Sequence, residues 1–416
     1  MVVPVRIENR AQLIYLLTEA AELEHSILCC YLFAAFSLKH DESEGMNPAQ
    51  RECVERWRGV LREITIQEML HLATACNLLT AVGGAPQFRR PNLPASPRAY
   101  PPAFKLQLVP FSMAAVEQFC FLERPESMAV ADAAQYRVTA QPLDTLSDIF
   151  SSERQYETVG ELYRGIEDGL SYLTQKLGER QLFIGPDEAQ TAETFFGPGL
   201  IAVHDLASAL AAIQMIVEQG EGASIDAQFS HYNRFVRMRD EYREVLAADA
   251  HFAPARPVLL NPYATVPNDL ARGAEVNVID DPLSVDVCNL VDGCYELMVQ
   301  MLGRLFVHGE ESEADLAGLA DMVIGVMMEV IEPLATALTR LPAGPAHPGR
   351  NAGPSFRLSR GASVPAHRDS ARGVFRERLT ELAAYGRFLQ SVPGAPAVLT
   401  PVRAALTRFA ESFATP

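Results

Sequence analysis

Ionisable residues interrupt helical stripes that are otherwise apolar, and this restricts the fold more than any other feature of the chain. Leu13, Leu17, Ala20, Ile27, Tyr31 and Ala34 recur at helical spacing, and Glu24 falls in the middle of that series. A second series runs Val54, Trp57, Leu61, Ile64, Glu68, His71, Ala75 and Leu78, in alternating steps of three and four. Glu68 and His71 therefore share the inward stripe of their helix. An unpaired carboxylate on a buried face is neutralised or strongly destabilising. Glu-x-x-His on one helix, faced by a Glu from another, is the half-site of carboxylate-bridged metal pairs in helical bundles. The pattern predicts a cation held between these two helices.

The rest of the composition narrows the class. A chain of 416 residues, 48% hydrophobic and 21% charged, is that of a globular protein with one large or two ordinary domains. Its 35 basic and 52 acidic residues leave a formal charge of −17, which argues against nucleic acid or an anionic membrane as partner. The small basic groups Arg89-Arg90 and Arg237/Arg239/Arg243 read as solvated or salt-bridged. Seven cysteines without a Cys-x-x-Cys pair read as buried, reduced thiols. With no apolar leader in Met1–Arg10 and no uninterrupted apolar span, the expected location is the cytoplasm.

Periodicity and breakers set the organisation. Helices are expected over Asn9–Leu38 and Pro48–Val82, the second ending at Gly83-Gly84. A proline-rich crossover, 84–151, follows; it forbids long helices, with room for a short strand at Phe104–Val109 and a short helix at Ser112–Leu122. Helices resume at Ser152–Leu177, Leu200–Gln219 and Ser230–Ala247. Two helices, a long crossover and two more helices give an all-α four-helix bundle over residues 1–250. Residues 251–416 are expected to be a C-terminal helical extension packed on it, with helices at Leu283–Phe306, Ala314–Leu341 and Arg368–Gln390.

Further candidate ligands come from the later helices. The series Val203, Leu206, Leu210, Ile213, Val217 steps on to Glu221 between two glycines, with Glu218 as the alternative from that element. His231, at the start of a helix, is open between ligand and satisfied core or capping residue. Glu161 sits on the flank of the Val159, Leu162, Ile166, Leu170 stripe and is equally open. His25 and Tyr31 read as neighbours that orient ligands or carry protons rather than as ligands. No phosphate loop, dinucleotide fingerprint or nucleophile elbow is present.

Several runs resemble a known family. They are Ala21-Glu22-Leu23-Glu24-His25, Gln67-Glu68-Met69-Leu70-His71, Val159-Gly160-Glu161-Leu162-Tyr163, Gln219-Gly220-Glu221-Gly222 and Ala352-Gly353-Pro354-Ser355-Phe356. Together they resemble the ferritin-like family, and more narrowly the domain of iminophenyl-pyruvate dimer synthases, including chromopyrrolate synthase-type enzymes of bisindole biosynthesis. The resemblance implies a ferritin-like bundle and an iron-dependent oxidative enzyme of specialised metabolism. By position it implies a metal-ligand set of Glu24, Glu68, His71, Glu161, Glu221 and His231.

The resulting expectation is a non-haem iron oxidase or oxygenase acting on a small, amino-acid-derived substrate with O2 as co-substrate. Two iron ions are expected, with one iron or manganese as the alternative. Glu68, as bridge, and His71, capping one iron, are the catalytic candidates. The competing expectations are a storage or other non-catalytic metal-binding bundle and a haem-dependent coupling enzyme. A homo-oligomer is left open.

Overall fold

A computed structural model describes residues 7–95, 105–125, 156, 158–220, 229–270, 273–359, 363 and 365–413. Among these residues the chain is all-α, apart from a two-residue parallel pair, Pro262–Tyr263 with Asn277–Val278. Helix α1 (Arg10–Ser37) begins where the Asn9 side chain accepts the Gln12 N–H. Helix α2 (Pro48–Ala81) begins with a reciprocal Asn47/Gln50 capping box followed by Pro48 at its first position. It ends at Gly83, whose φ of 81° suits a residue without Cβ. Helices α3 (Met113–Leu122) and α4 (Val159–Leu177) follow, then the single turns α5 (Glu179–Leu182) and α6 (Glu193–Phe196), then α7 (Leu206–Gln219) and α8 (His231–Ala248).

Four of these helices make the bundle: α1 packs on α2 and α4, and α7 packs on the other side of both α2 and α4. The α3–α8 pair lies outside that ring and joins it through α8 against α2 and through Tyr31 of α1, which packs on Phe119 and Phe235. The C-terminal helices are α9 (Pro282–Phe306), α10 (Glu313–Gly325), α11 (Glu332–Leu338), α12 (Arg368–Gln390) and α13 (Leu399–Ser412), and part of this set covers α1, which is buried on nearly every side. The contact runs through α11, and through Tyr295 of α9, whose hydroxyl lies 2.5 Å from His25 Nε2.

Several sequence expectations need correction. Phe104–Val109 forms no strand among its described residues; Leu106 makes only an isolated bridge to Ala95, with Pro110 unable to extend a ladder. The helix expected from Leu200 starts at Leu206, where Asp205 and Ser208 form the cap. The single helix expected over Ala314–Leu341 is interrupted by a π-helical segment, Val326–Ile331. Pro333 has no N–H to continue the ladder, and just before it the Glu332 N–H reaches back five residues to Met327 O. Arg90 is buried, with its guanidinium donating to Phe356 O at 2.7 Å and Pro91 O at 2.9 Å. All seven cysteines are free thiols, Cys53 being the one not fully buried. No helix among the described residues is long and apolar enough to cross a membrane.

Candidate metal centre

Helix phase brings the first three groups together. Glu24 lies mid-way along α1, while Glu68 and His71 lie one turn apart on the face of α2 that packs against it. His71 Nδ1 sits 3.2 Å from Glu68 Oε2 and 3.9 Å from Glu24 Oε2. The other oxygen of Glu68 faces the α3–α8 pair. There His231, the first residue of α8, places Nδ1 3.0 Å from Glu68 Oε1 and 3.5 Å from Glu123 Oε2. Two triads thus share one carboxylate: Glu24, Glu68 and His71 on one side, Glu68, Glu123 and His231 on the other. All five residues are buried, and within each triad the donor atoms lie inside 4.8 Å of one another.

Their mutual proximity governs their protonation. Burial raises Glu24 well above the ordinary carboxylate range, and the adjacent Glu68 adds to the shift. Burial also raises Glu123, with His231 opposing and Glu68 reinforcing. Burial pushes Glu68 upward too, but His231 and His71 outweigh it and hold this carboxylate below its usual value. For His231, burial favours the neutral ring, yet Glu123 and Glu68 overcome that and lift it to about 9.

The structure distributes the expected ligands unevenly. Glu24, Glu68, His71 and His231 converge. Glu161 is half-buried in the first turn of α4, its N–H held by the Thr158 cap, and belongs to neither triad. Helix α4 instead sends Tyr163 inward, to donate to Glu24 Oε1 at 2.6 Å. Glu221 lies outside the described residues. Glu218 is exposed and accepts a hydrogen bond from Gln214, one turn back on the outer face of α7. Glu123 was missed. It caps the C-terminus of α3, and the spacing Val116, Phe119, Glu123 is the same stripe argument that found Glu24. His25, expected to be a neighbour that orients ligands or carries protons, is buried against Tyr295.

A family model described as ferritin-like matches residues 17–240, more than half of the chain, and those residues carry both triads. The chain belongs to the ferritin-like family. Among characterised relatives of this ferritin-like protein, the dichlorochromopyrrolate synthase of Lentzea aerocolonigenes is 28% identical over 93% of this chain and 40% of its own length. The 2-imino-3-(indol-3-yl)propanoate dimerase of Chromobacterium violaceum is 30% identical over 84% of this chain and 34% of its own. The chain therefore spans well under half the length of either relative. A crystal structure of a ferritin-like protein from Caulobacter vibrioides aligns over 85% of this chain and 100% of its own, at 16% identity and a TM-score of 0.49.

The ferritin-like donor set fits a pair of metal ions. His231 Nδ1 is buried and makes no hydrogen bond, although two carboxylate oxygens lie within 3.5 Å; this geometry suits a lone pair directed at a shared cation. The opposite ring nitrogens define the tautomers. His231 Nε2 lies 3.0 Å from Gln67 Oε1, and His71 Nε2 lies 3.3 Å from Gln219 Oε1, so each ring can donate outward and keep Nδ1 for a metal. Tyr163 and Tyr31 do the same for the outer carboxylates, donating to the far oxygens of Glu24 and Glu123. Three carboxylates and two imidazoles are donors that suit iron or manganese. Such outer partners typically tune metal affinity by about 10–100-fold. Tyr163→Phe is expected to weaken one of two binding steps by about that factor and leave the other unchanged, as read by metal titration calorimetry.

Proposed function

We propose that this protein is a two-metal, iron-dependent oxidative enzyme acting on a small, amino-acid-derived molecule in specialised metabolism. The observation that carries the reading is the sharing of Glu68 between two buried triads, each completed by one histidine and one further carboxylate. One position would be held by Glu24, Glu68 and His71, the other by Glu68, Glu123 and His231. A pair of iron ions there would supply the electrons that O2 chemistry needs and accept them back from the substrate. The names of the two relatives, one a dimerase of an indolyl imino acid, support a substrate of amino-acid origin.

The protein's own residues prepare the site for such work. Gln67 and Gln219 fix the ring orientations, and the two tyrosine hydroxyls fix the outer carboxylates. A small cavity of about 10 Å³ adjoins the triads and is walled by Ile27, Val159, Ile216 and Val217. These apolar walls limit bulk water around the reacting groups. Gly160 and Gly220 border the same space. A Cβ at Gly220 would stand 3.8 Å from Glu123 Oε2 and 3.9 Å from His71 Cε1, so the backbone there passes directly beside both triads. Storage would require a capacity far beyond two sites. Freshly purified protein is expected to contain about two iron ions per chain and to consume O2 when given a suitable 2-imino or 2-amino acid. Metal analysis returning hundreds of ions per assembly, or O2 uptake indifferent to every such acid, would reject the enzyme reading.

A further inference from the structure

A second and larger cavity opens on another face of the same helices. It has a volume of about 210 Å³ and shares no lining residue with the space beside the triads. The two sites are reached from neighbouring positions: His25 follows Glu24 on α1, and Met69 follows Glu68 on α2. The opposite wall is C-terminal, from Met298 and Val299 of α9 and Met327 of the π-helical segment. Unbranched methionine side chains adapt to a bulky apolar guest and make favourable contacts with aromatic rings. Interruptions of the π type are frequent at functional sites, and this one forms part of the cavity wall.

The polar groups lie at the two ends. At the deep end His25 and Cys29 are buried and each meets the Tyr295 hydroxyl, which also lies near Arg90, while His25 Nδ1 is left without a hydrogen-bond partner. The rim differs. Arg62 is exposed and makes no ion pair with a described residue, and Arg58 Nε has no partner. Arg58 is half-buried and donates one terminal nitrogen to Glu55 and the other to Lys39 O, so Arg62 is the uncommitted cation of the pair, and Glu332 is the one carboxylate lining the cavity among the described residues. Apolar walls ending in two guanidinium groups match a molecule with a hydrophobic body and one acidic group.

We propose that this cavity binds a bulky hydrophobic carboxylate, its body among Leu32, Met69, Met298 and Met327 and its carboxylate at the rim beside Arg58 and Arg62. The assignment is independent of the two-metal reading. Calorimetric titration of the full chain with 2-naphthoate and with the neutral 2-naphthalenemethanol tests it. The acid should bind saturably at a single site, roughly tenfold tighter than the alcohol, the scale of one charge-assisted contact. Arg62→Glu should abolish that preference, and Met298→Trp or Leu32→Trp, checked for folding by circular dichroism, should abolish binding of both compounds. Binding should persist in Glu68→Gln, which separates this cavity from capture of the acid by metal. Absence of saturable binding, equal binding of acid and alcohol, survival of binding in both folded tryptophan variants, or its loss in Glu68→Gln would each overturn the proposal.

Discussion

Glu68→Ala should emerge from metal titration with no tightly bound ion, and its turnover should fall to background, because the substitution removes a donor from both triads at once. Loss of an outer partner typically costs about 10–100-fold in affinity, and loss of a shared donor should exceed that for each ion. The variant should nevertheless fold. In the metal-free protein Glu68 is one of three carboxylates confined together, and it raises the pKa of both Glu24 and Glu123. Removing it relieves that repulsion while leaving His231 beside Glu123. His71→Ala and His231→Ala should each lose one ion only. Inductively coupled plasma analysis of the three variants checks this, and a Glu68→Ala protein retaining two ions and full turnover would refute the shared-carboxylate assignment.

Stability with and without metal should respond to pH in opposite directions. In the metal-free fold Glu24 and Glu123 are raised above their unfolded values and His231 is raised to about 9, so the folded state holds extra protons. Their contribution is complete below the unfolded values and is lost as pH rises through the folded ones, so the cluster's share of metal-free stability should decline from about pH 5 to about pH 9. Glu68, held low by the histidines, acts the other way, and its contribution disappears only on strong acidification. Metal binding requires all these donors deprotonated, so its stabilisation grows over the same range. With free metal at 100 to 1,000 times Kd, the gain at the upper end should be about 3–4 kcal/mol. Thermal unfolding with and without chelator at several pH values measures it; parallel profiles would refute a metal-bound cluster.

What could be read in advance followed from regular periodicity. Glu24, Glu68 and His71 sit mid-helix, where steps of three and four fix which face a residue occupies, and the structure places them together. Glu123 escaped because the expected helix stopped at Leu122, so the capping carboxylate was counted with the proline-rich crossover although its phase continued the stripe. His231 shares a face with Phe235 and Met238, but a first-turn histidine on a buried face serves equally well as a cap or a satisfied core residue, so phase alone could not separate the roles. Arg90 was unreadable for a different reason. Its burial depends on Phe356 and Tyr295, more than two hundred residues away, and no local pattern encodes such a contact. The π-helical segment had a signal in Pro333, but hydrophobic periodicity alone reads through it.

The two halves of the cluster are mounted differently. Glu24, Glu68 and His71 belong to helix interiors, where shifting a side-chain root means deforming hydrogen-bonded backbone on either side. Glu123, the cap that follows α3, and His231, the first residue of α8, stand at the ends of a helix pair outside the bundle ring, where the chain is held by helical hydrogen bonds on one side only. One half is therefore an anvil and the other a hinge, and under the proposed two-metal reading a change of ligand arrangement would fall on the hinge.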